Sequence, residues 1–120
     1  MGSSRTALVA ALLTAMLVAA APRDGFAARI FLPLDQEGSW TAADKQVHFG
    51  VCLAIAASFR VEGRSRAQSV TGSFAVGVAK EIYDVTLKPG RLGRGASRKD
   101  LAVDLLGAVA GVLIVAAADR

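Results

Sequence analysis

The feature that most constrains the fold is a helix-start signal that precedes each of three apolar stretches. In each signal a hydroxyl residue is followed three positions later by Asp or Gln, so that the two side chains can satisfy backbone amides of the first turn. The signals are Thr41 to Asp44, Ser65 to Gln68 and Ser97 to Asp100. Polar breaks around Gly63 and at Pro89-Gly90 separate the stretches. The pattern predicts an all-α fold with helices at about 42–60, 66–87 and 98–118.

The connections between these helices are short, and short connections favour antiparallel neighbours. We therefore predict a small three-helix antiparallel bundle. The start of the first helix, the end of the second and the start of the third then lie at one end of the bundle. Most of the acids in the helical region and the only histidine meet there. The predicted polar cluster consists of Asp44, Lys45, His48, Lys80, Glu81, Asp84, Ser97, Asp100 and Asp104.

The N-terminal segment, residues 1–27, has the pattern of a secretory signal: a short basic start, an apolar stretch and an alanine-rich end. The small-residue rule predicts cleavage after Ala20 or Ala27, and an uncleaved anchor is the alternative. Residues 28–40 are predicted to form an extended arm, and residues 41–120 the helical domain. Such a segment predicts a cell-envelope location, in the inner membrane or periplasm, with the polar cluster on the periplasmic side.

The helices also suit a membrane. At about 1.5 Å per residue each would be roughly 28 to 33 Å long, close to the thickness of a hydrocarbon core, so each could span. Apolar residues make up 53% of the chain, and many are Ala, Val and Gly, which permit close helix contact. Both connecting loops are basic, which conflicts with a simple orientation rule, and a soluble or peripheral bundle is the alternative.

Charge and cysteine content exclude other classes. The net charge of +4 comes from bases spread through loops, without a basic stripe interleaved with aromatic residues, so we do not expect nucleic-acid binding. The single cysteine, Cys52, lies inside an apolar run, where it offers neither a disulfide nor a lipid-attachment site. It is predicted to be a small core residue.

A spaced set of polar anchors carries a family resemblance. The motifs are Asp44-Lys45-x-x-His48-Phe49, Gly77-x-x-Lys80-Glu81-x-x-Asp84, Ser97-x-x-Asp100-Leu101 and Asp104-x-x-Gly107-x-x-x-Gly111. Together they resemble the YfiM-like family of periplasmic lipoproteins, and the first motif is also similar to the start of VanZ-like membrane proteins. The resemblance implies an envelope location and a helical fold, and no established activity. The chain differs from the family in having no cysteine after the signal segment.

The polar cluster has a structural interpretation. Asp44 and Asp100 are predicted to act as capping acids, and Lys80 and Asp84 to pair along one helix. Glu81 could accept a hydrogen bond from Lys45 or Arg98. His48 and Asp104, each one turn inside a capping acid, are predicted to pair. The preferred hypothesis is therefore a non-catalytic interaction module that binds membrane lipid or another envelope protein, with homo-oligomers as a further option.

The alternative hypothesis is a divalent-metal-dependent hydrolase acting on a phosphate-bearing lipid or envelope precursor. The predicted metal ligands are His48, Glu81, Asp84 and Asp104. One histidine with several carboxylates suits Mg²⁺ or Mn²⁺ better than zinc. No cofactor is firmly implied. In either case the basic loop, through Arg91, Arg94 and Arg98, is predicted to contact anionic head groups.

Overall fold

The computed structural model describes residues 30–89 and 95–120, which form a bundle of three helices. Helix α1 is Ala43–Val61, α2 is Arg66–Thr86 and α3 is Arg98–Ala118. A short 3-10 turn, Leu34–Gln36, precedes them. The predicted all-α three-helix bundle is confirmed, and each helix end lies within one residue of its predicted position. The predicted signal or anchor, residues 1–27, lies outside the described residues.

The three helix starts differ in how they are capped. At α2 the complete capping box forms: Ser65 Oγ accepts from the Gln68 amide at 3.1 Å, and Gln68 Oε1 accepts from the Ser65 amide at 3.0 Å. At α1 the predicted box is wrong, because Ala42 occupies the N-cap position without a side-chain hydrogen bond. With Ala42 as the N-cap, α1 begins at Ala43, one residue later than a helix capped by Thr41 would begin. The Asp44 carboxylate accepts from the Lys45 ammonium instead.

The turn between α1 and α2 ends the first helix as predicted. Gly63 has a φ of +85°, the left-handed conformation that glycine adopts without steric cost. Its amide donates to the Arg60 carbonyl at 3.0 Å, and the Arg64 amide donates to the Phe59 carbonyl at 2.9 Å. This pattern of two bonds satisfies carbonyls that the helix end leaves unpaired.

The closest contact in the bundle is between α1 and α3, which run in the same direction on either side of the polar cluster. A Cβ at Gly107 would lie 2.2 Å from the Phe49 carbonyl oxygen, and one at Gly111 would lie 2.3 Å from the Leu53 carbonyl oxygen. Only glycine permits this backbone approach, so the two glycines set the separation of α1 and α3.

The interior and surface have an unusual distribution of side chains. The apolar core between the helices is built from small residues, namely Cys52, Ala56, Ala108 and Val112. Many larger apolar side chains point outward, although Phe74 of α2 and Val103 of α3 are buried. On the three helices these exposed residues include Val47, Val51, Ile82, Tyr83, Leu105, Leu106, Val109, Leu113 and Ile114. The bundle therefore presents an apolar exterior of a kind that commonly marks an interaction surface.

The arm before α1 packs against the start of α3. Phe31 forms a parallel bridge with Ala96, in which the Leu32 amide donates to the Ala96 carbonyl at 2.9 Å. Glu37 is buried and its carboxylate accepts from the Arg98 amide at 2.9 Å and the Lys99 amide at 3.3 Å. The predicted extended arm is therefore present only in part, because Phe31 pairs in a bridge whereas Leu34–Gln36 form a 3-10 turn and Glu37 is held by the start of α3.

Of the three described helices, α3 alone is long and apolar enough to cross a membrane, and one third of its most apolar window is buried in the bundle. Core helices of soluble proteins can have the same length and composition. The prediction that every helix could span is therefore supported by composition for α3, which gives weak support for membrane association.

Candidate functional site

His48 on α1 lies between two carboxylates of α3. Its Nε2 is 3.2 Å from Asp100 Oδ2 and its Nδ1 is 2.9 Å from Asp104 Oδ1, and only 13% of the side chain is exposed. Because each ring nitrogen faces an acceptor, both carry a proton and the ring is an imidazolium. The hydrogen bonds to Asp100 and then Asp104 raise the pKa of His48 to about 10, although burial opposes the charge. The predicted pairing of His48 with Asp104 is present.

Asp100 is the centre of the cluster, since it meets three cationic groups. In addition to His48, Lys45 Nζ approaches Oδ1 at 2.6 Å and Lys80 Nζ lies 3.4 Å from Oδ2. Burial opposes ionisation, but the hydrogen bonds from His48 and Lys45 hold the pKa of Asp100 well below its usual range. Lys45 is itself buried and also contacts the exposed Asp44, and these two carboxylates raise its pKa despite desolvation.

Glu81 on α2 takes the place of Asp100 in capping the start of α3, so the Asp100 carboxylate can bind other groups. The Ser97 hydroxyl accepts from the Asp100 amide at 3.1 Å, as in a capping box. The return bond of the box is replaced, because the Ser97 amide donates to Glu81 Oε2 at 2.7 Å. With that amide satisfied from α2, the Asp100 carboxylate is directed into the cluster. Burial raises the pKa of Glu81 to about 7.

Lys80 and Asp84 form the predicted ion pair one turn apart on α2. Lys80 also lies 3.4 Å from Glu81 Oε1, so its ammonium joins both acids of α2 to Asp100 of α3. Burial opposes its charge, but Asp84 and the neighbouring acids raise the pKa of Lys80. These residues meet as the sequence predicted. Within the described part of the chain, however, the Glu81 carboxylate accepts from Lys80 and the Ser97 amide, and not from Lys45 or Arg98 as expected.

Asp104 is 1% exposed and contacts two elements besides α3. Its Oδ1 meets His48 and also lies 3.4 Å from Cys52 Sγ. Its Oδ2 lies against Gly77 of α2, where a Cβ would be 2.2 Å away. Cys52 is a buried core residue as predicted, and burial raises the pKa of its thiol to about 11, so it is not a thiolate nucleophile at neutral pH.

Together these side chains form what we call the ionic cluster: Lys45, His48, Lys80, Glu81, Asp84, Asp100 and Asp104, with Asp44 at its exposed edge. Donor atoms of His48, Glu81 and Asp100 lie within 4.8 Å of one another, a separation that a metal ion could bridge. This set shares His48 and Glu81 with the predicted ligands. Metal binding would require His48 to lose a proton and the two lysines to withdraw, so the donors present fit their internal cations better than a metal.

Two further features concern the arm and the basic loop. Glu37 was not among the predicted site residues, because nothing in its local sequence distinguishes it from other acids of a mixed-charge segment. Arg98 donates to the Leu32 carbonyl at 3.2 Å, lies 3.5 Å from Glu37 and stacks 4.7 Å above the Phe31 ring. Its guanidinium therefore fastens the arm. Arg91 and Arg94 lie outside the described residues.

No family model, curated protein or solved structure matches the chain. The resemblance to YfiM-like and VanZ-like proteins therefore stays a prediction.

Proposed function

We propose that this protein is a non-catalytic, membrane-associated module of the cell envelope. The observation that carries the proposal is the distribution of side chains: charged groups pair inside the bundle, while many large apolar side chains lie outside. Leu106 and Leu113, for example, are 59% and 61% exposed on α3. Apolar surface of this extent is unfavourable in water and favourable against acyl chains or a partner helix.

The ionic cluster supports a structural role within that module. Its pairs join α1 to α3 through His48 and Asp100, and α2 to α3 through Glu81 and Ser97. Sliding one helix by a single turn would separate these pairs and leave buried charges without partners. Breaking a buried pair costs about 3 to 5 kcal/mol, so the cluster selects one register for three helices whose apolar contacts are small and similar.

The proposed partner is membrane lipid or an apolar helix of another envelope protein, including a second copy of this chain. A contribution from the basic loop is part of the proposal, since Arg91 and Arg94 could add attraction to anionic head groups. The inner membrane or the periplasmic face of the envelope is the proposed location, based on the signal-like N-terminal segment.

Flotation with vesicles tests the proposal. Purified protein is expected to float with vesicles of phosphatidylethanolamine and phosphatidylglycerol, and Leu106→Glu and Leu113→Glu are expected to weaken flotation without loss of helical circular dichroism. Glu62→Gln, a change at an exposed position in the turn between α1 and α2, is the control. Wild-type protein that stays at the bottom of the gradient would contradict membrane association.

A second candidate is the divalent-metal-dependent hydrolase, favoured by the proximity of His48, Glu81 and Asp100 donor atoms. Binding Mn²⁺ there would release the His48 proton, because a ligating nitrogen needs its lone pair. The test is stoichiometric Mn²⁺ uptake, with proton release, by wild type and its loss in folded His48→Gln. Uptake that survives the substitution would remove this candidate, and specific uptake would favour it over the structural role.

A further inference from the structure

Helices α1 and α3 lie side by side, and one of the surfaces that they form together is largely apolar. At the start of this surface Trp40, Phe49 and Val103 help to line a groove of about 380 Å³. Helical spacing continues the surface along α3 from Val103 through Leu106 to Leu113, and both leucines are more than half exposed. We call this surface the shared face.

Both ends of the shared face carry a basic side chain. Lys99 lies one turn before Val103 on α3, and its Nζ is 5.6 Å from the Trp40 ring centroid. At the other end, Arg60 lies about three turns after Phe49 on α1, so helical spacing puts it on the same side of that helix. Among the described residues of α1 and α3, the same spacing places no acid on this face. The shared face is therefore an apolar surface bounded by two bases.

The outer side of α1, which is turned away from α3, is also apolar but has the opposite charge at its ends. Val47 and Val51 are 62% and 47% exposed there. Asp44 lies one turn before Val47 on the same side of the helix, and Glu62 follows the last turn as the C-cap. Both acids are exposed. The bundle thus has one apolar face bounded by bases and another bounded by acids.

An anionic lipid surface distinguishes these two faces by charge, since it attracts bases and repels acids. An apolar surface edged with Lys or Arg is also typical of helices that lie in the membrane interface. Trp40, 57% exposed beside Lys99, suits the boundary between head groups and acyl chains. We infer that the bundle lies on an anionic membrane through its shared face, with Lys99 and Arg60 at lipid phosphates and Leu106 and Leu113 against acyl chains. This orientation rests on the proposed membrane association and specifies its surface and its lipid charge.

Leu113 and Val51 provide matched probe positions, because both are exposed apolar residues and they lie on different faces. Cys52, the only cysteine of the chain, is 2% exposed and does not compete for a thiol label. Full-length Leu113→Cys and Val51→Cys would each carry a nitrobenzoxadiazole label, which emits more strongly, and at shorter wavelength, in apolar surroundings. Vesicles of phosphatidylcholine with phosphatidylglycerol should produce this change at position 113 and leave position 51 as in buffer. Vesicles of phosphatidylcholine alone should produce a much smaller change at position 113.

Charge variants of the labelled Leu113→Cys protein test the two bases. Lys99→Gln and Arg60→Gln should each raise the lipid concentration for half-maximal emission by about fivefold at low salt, because each removes one attraction to the anionic surface. Glu62→Gln, beside the outer side of α1, should leave this concentration nearly unchanged. Higher salt should reduce the differences, since it screens exposed charges. Circular dichroism of each variant checks the fold, because Lys99 also donates to the Gly38 carbonyl.

Three results would overturn this orientation. Equal emission changes at positions 51 and 113 would mean that lipid surrounds the bundle rather than contacting one face. A change at position 113 that is the same without phosphatidylglycerol, and insensitive to both charge variants, would contradict the role of the two bases. A change at position 113 that grows with protein concentration in the absence of vesicles would identify a second copy as the occupant. Each of these leaves the proposed function standing if wild-type protein floats with vesicles, whereas failure to float would contradict the proposed function itself.

Discussion

Replacing His48 by glutamine should destabilise the bundle strongly at pH 6. The pKa of His48 rises from 6.5 to about 10 in the fold, which sets an upper limit of roughly 5 kcal/mol at 1.36 kcal/mol per unit. The side chain is 13% exposed, and a glutamine amide can still donate to one of the two carboxylates. Since breaking a buried pair costs about 3 to 5 kcal/mol and one hydrogen bond returns about 1, we expect a loss of about 2 to 4 kcal/mol.

The loss should depend on pH with a defined sign. The pKa of His48 is raised on folding, so its contribution is complete below the unfolded value of 6.5 and is lost as the pH rises through about 10. In the wild type the ring is then neutral, and the difference from His48→Gln should shrink. For a domain of this size the expected difference in Tm at pH 6 is about 10 to 25 °C, and it should fall toward zero by about pH 10.5.

Thermal melts followed by circular dichroism between about pH 6 and pH 10.5 measure the effect. Ser58→Ala is a matched control, because Ser58 is exposed on the same helix and its hydroxyl donates to the Ala54 carbonyl one turn earlier. Its small effect on Tm should not vary with pH. Parallel Tm curves for wild type and His48→Gln would refute the argument, because a neutral His48 would lose nothing on deprotonation.

Three other predictions concern stability. Gly77→Ala should lower the free energy of unfolding by about 2 to 4 kcal/mol, because its Cβ would lie 2.2 Å from Asp104 Oδ2. Gly50→Ala should raise it by about 0.5 to 1 kcal/mol, because no atom lies within 4 Å of the added Cβ. Chemical denaturation of both variants compares them directly. Glu37→Gln should lower the free energy of unfolding by about 1 to 2 kcal/mol and increase hydrogen exchange at the first amides of α3, since the charged cap is lost; unchanged exchange there would contradict the cap. Glu81→Gln should gain stability relative to wild type as the pH rises from about 4.5 to about 7. The pKa of Glu81 is raised on folding, so its contribution to stability is complete below about 4.5 and is lost as the pH rises through about 7. Thermal melts across that range test the sign, and a relative loss of stability in the variant would contradict it.

The helix starts show how far local rules extend. Ser65 and Gln68 form the box that their spacing predicts, because both partners lie within one turn and no other group competes for them. Thr41 does not cap α1, although the same spacing is present. At Ser97 half of the box forms and Glu81 supplies the other half. The spacing alone could not distinguish these cases, since the competing group at Ser97 comes from another helix.

The candidate site was predictable in its membership and less so in its contacts. All of the residues in the ionic cluster were expected at one end of the bundle, and the pairs His48 with Asp104 and Lys80 with Asp84 are present. The central position of Asp100 was not expected, because a capping role was enough to explain it. Glu37 was missed for a related reason: the hydrogen bonds to its carboxylate come from the backbone amides of Arg98 and Lys99, and backbone amides carry no residue-specific signal in a sequence.

The sequence by itself determined the helix bounds, the order of the helices and the end of the bundle at which the charged residues gather. These depend on helical periodicity, glycine and proline breaks and short connections, which act over a few residues. Only the tertiary structure decided which charges pair, since the Ser97 amide finds Glu81 across 16 positions and the Arg98 amide finds Glu37 across 61. A hydrogen bond requires heavy atoms about 3 Å apart. That distance depends on the rotation and separation of packed helices, which the close contact of Gly107 with α1 sets.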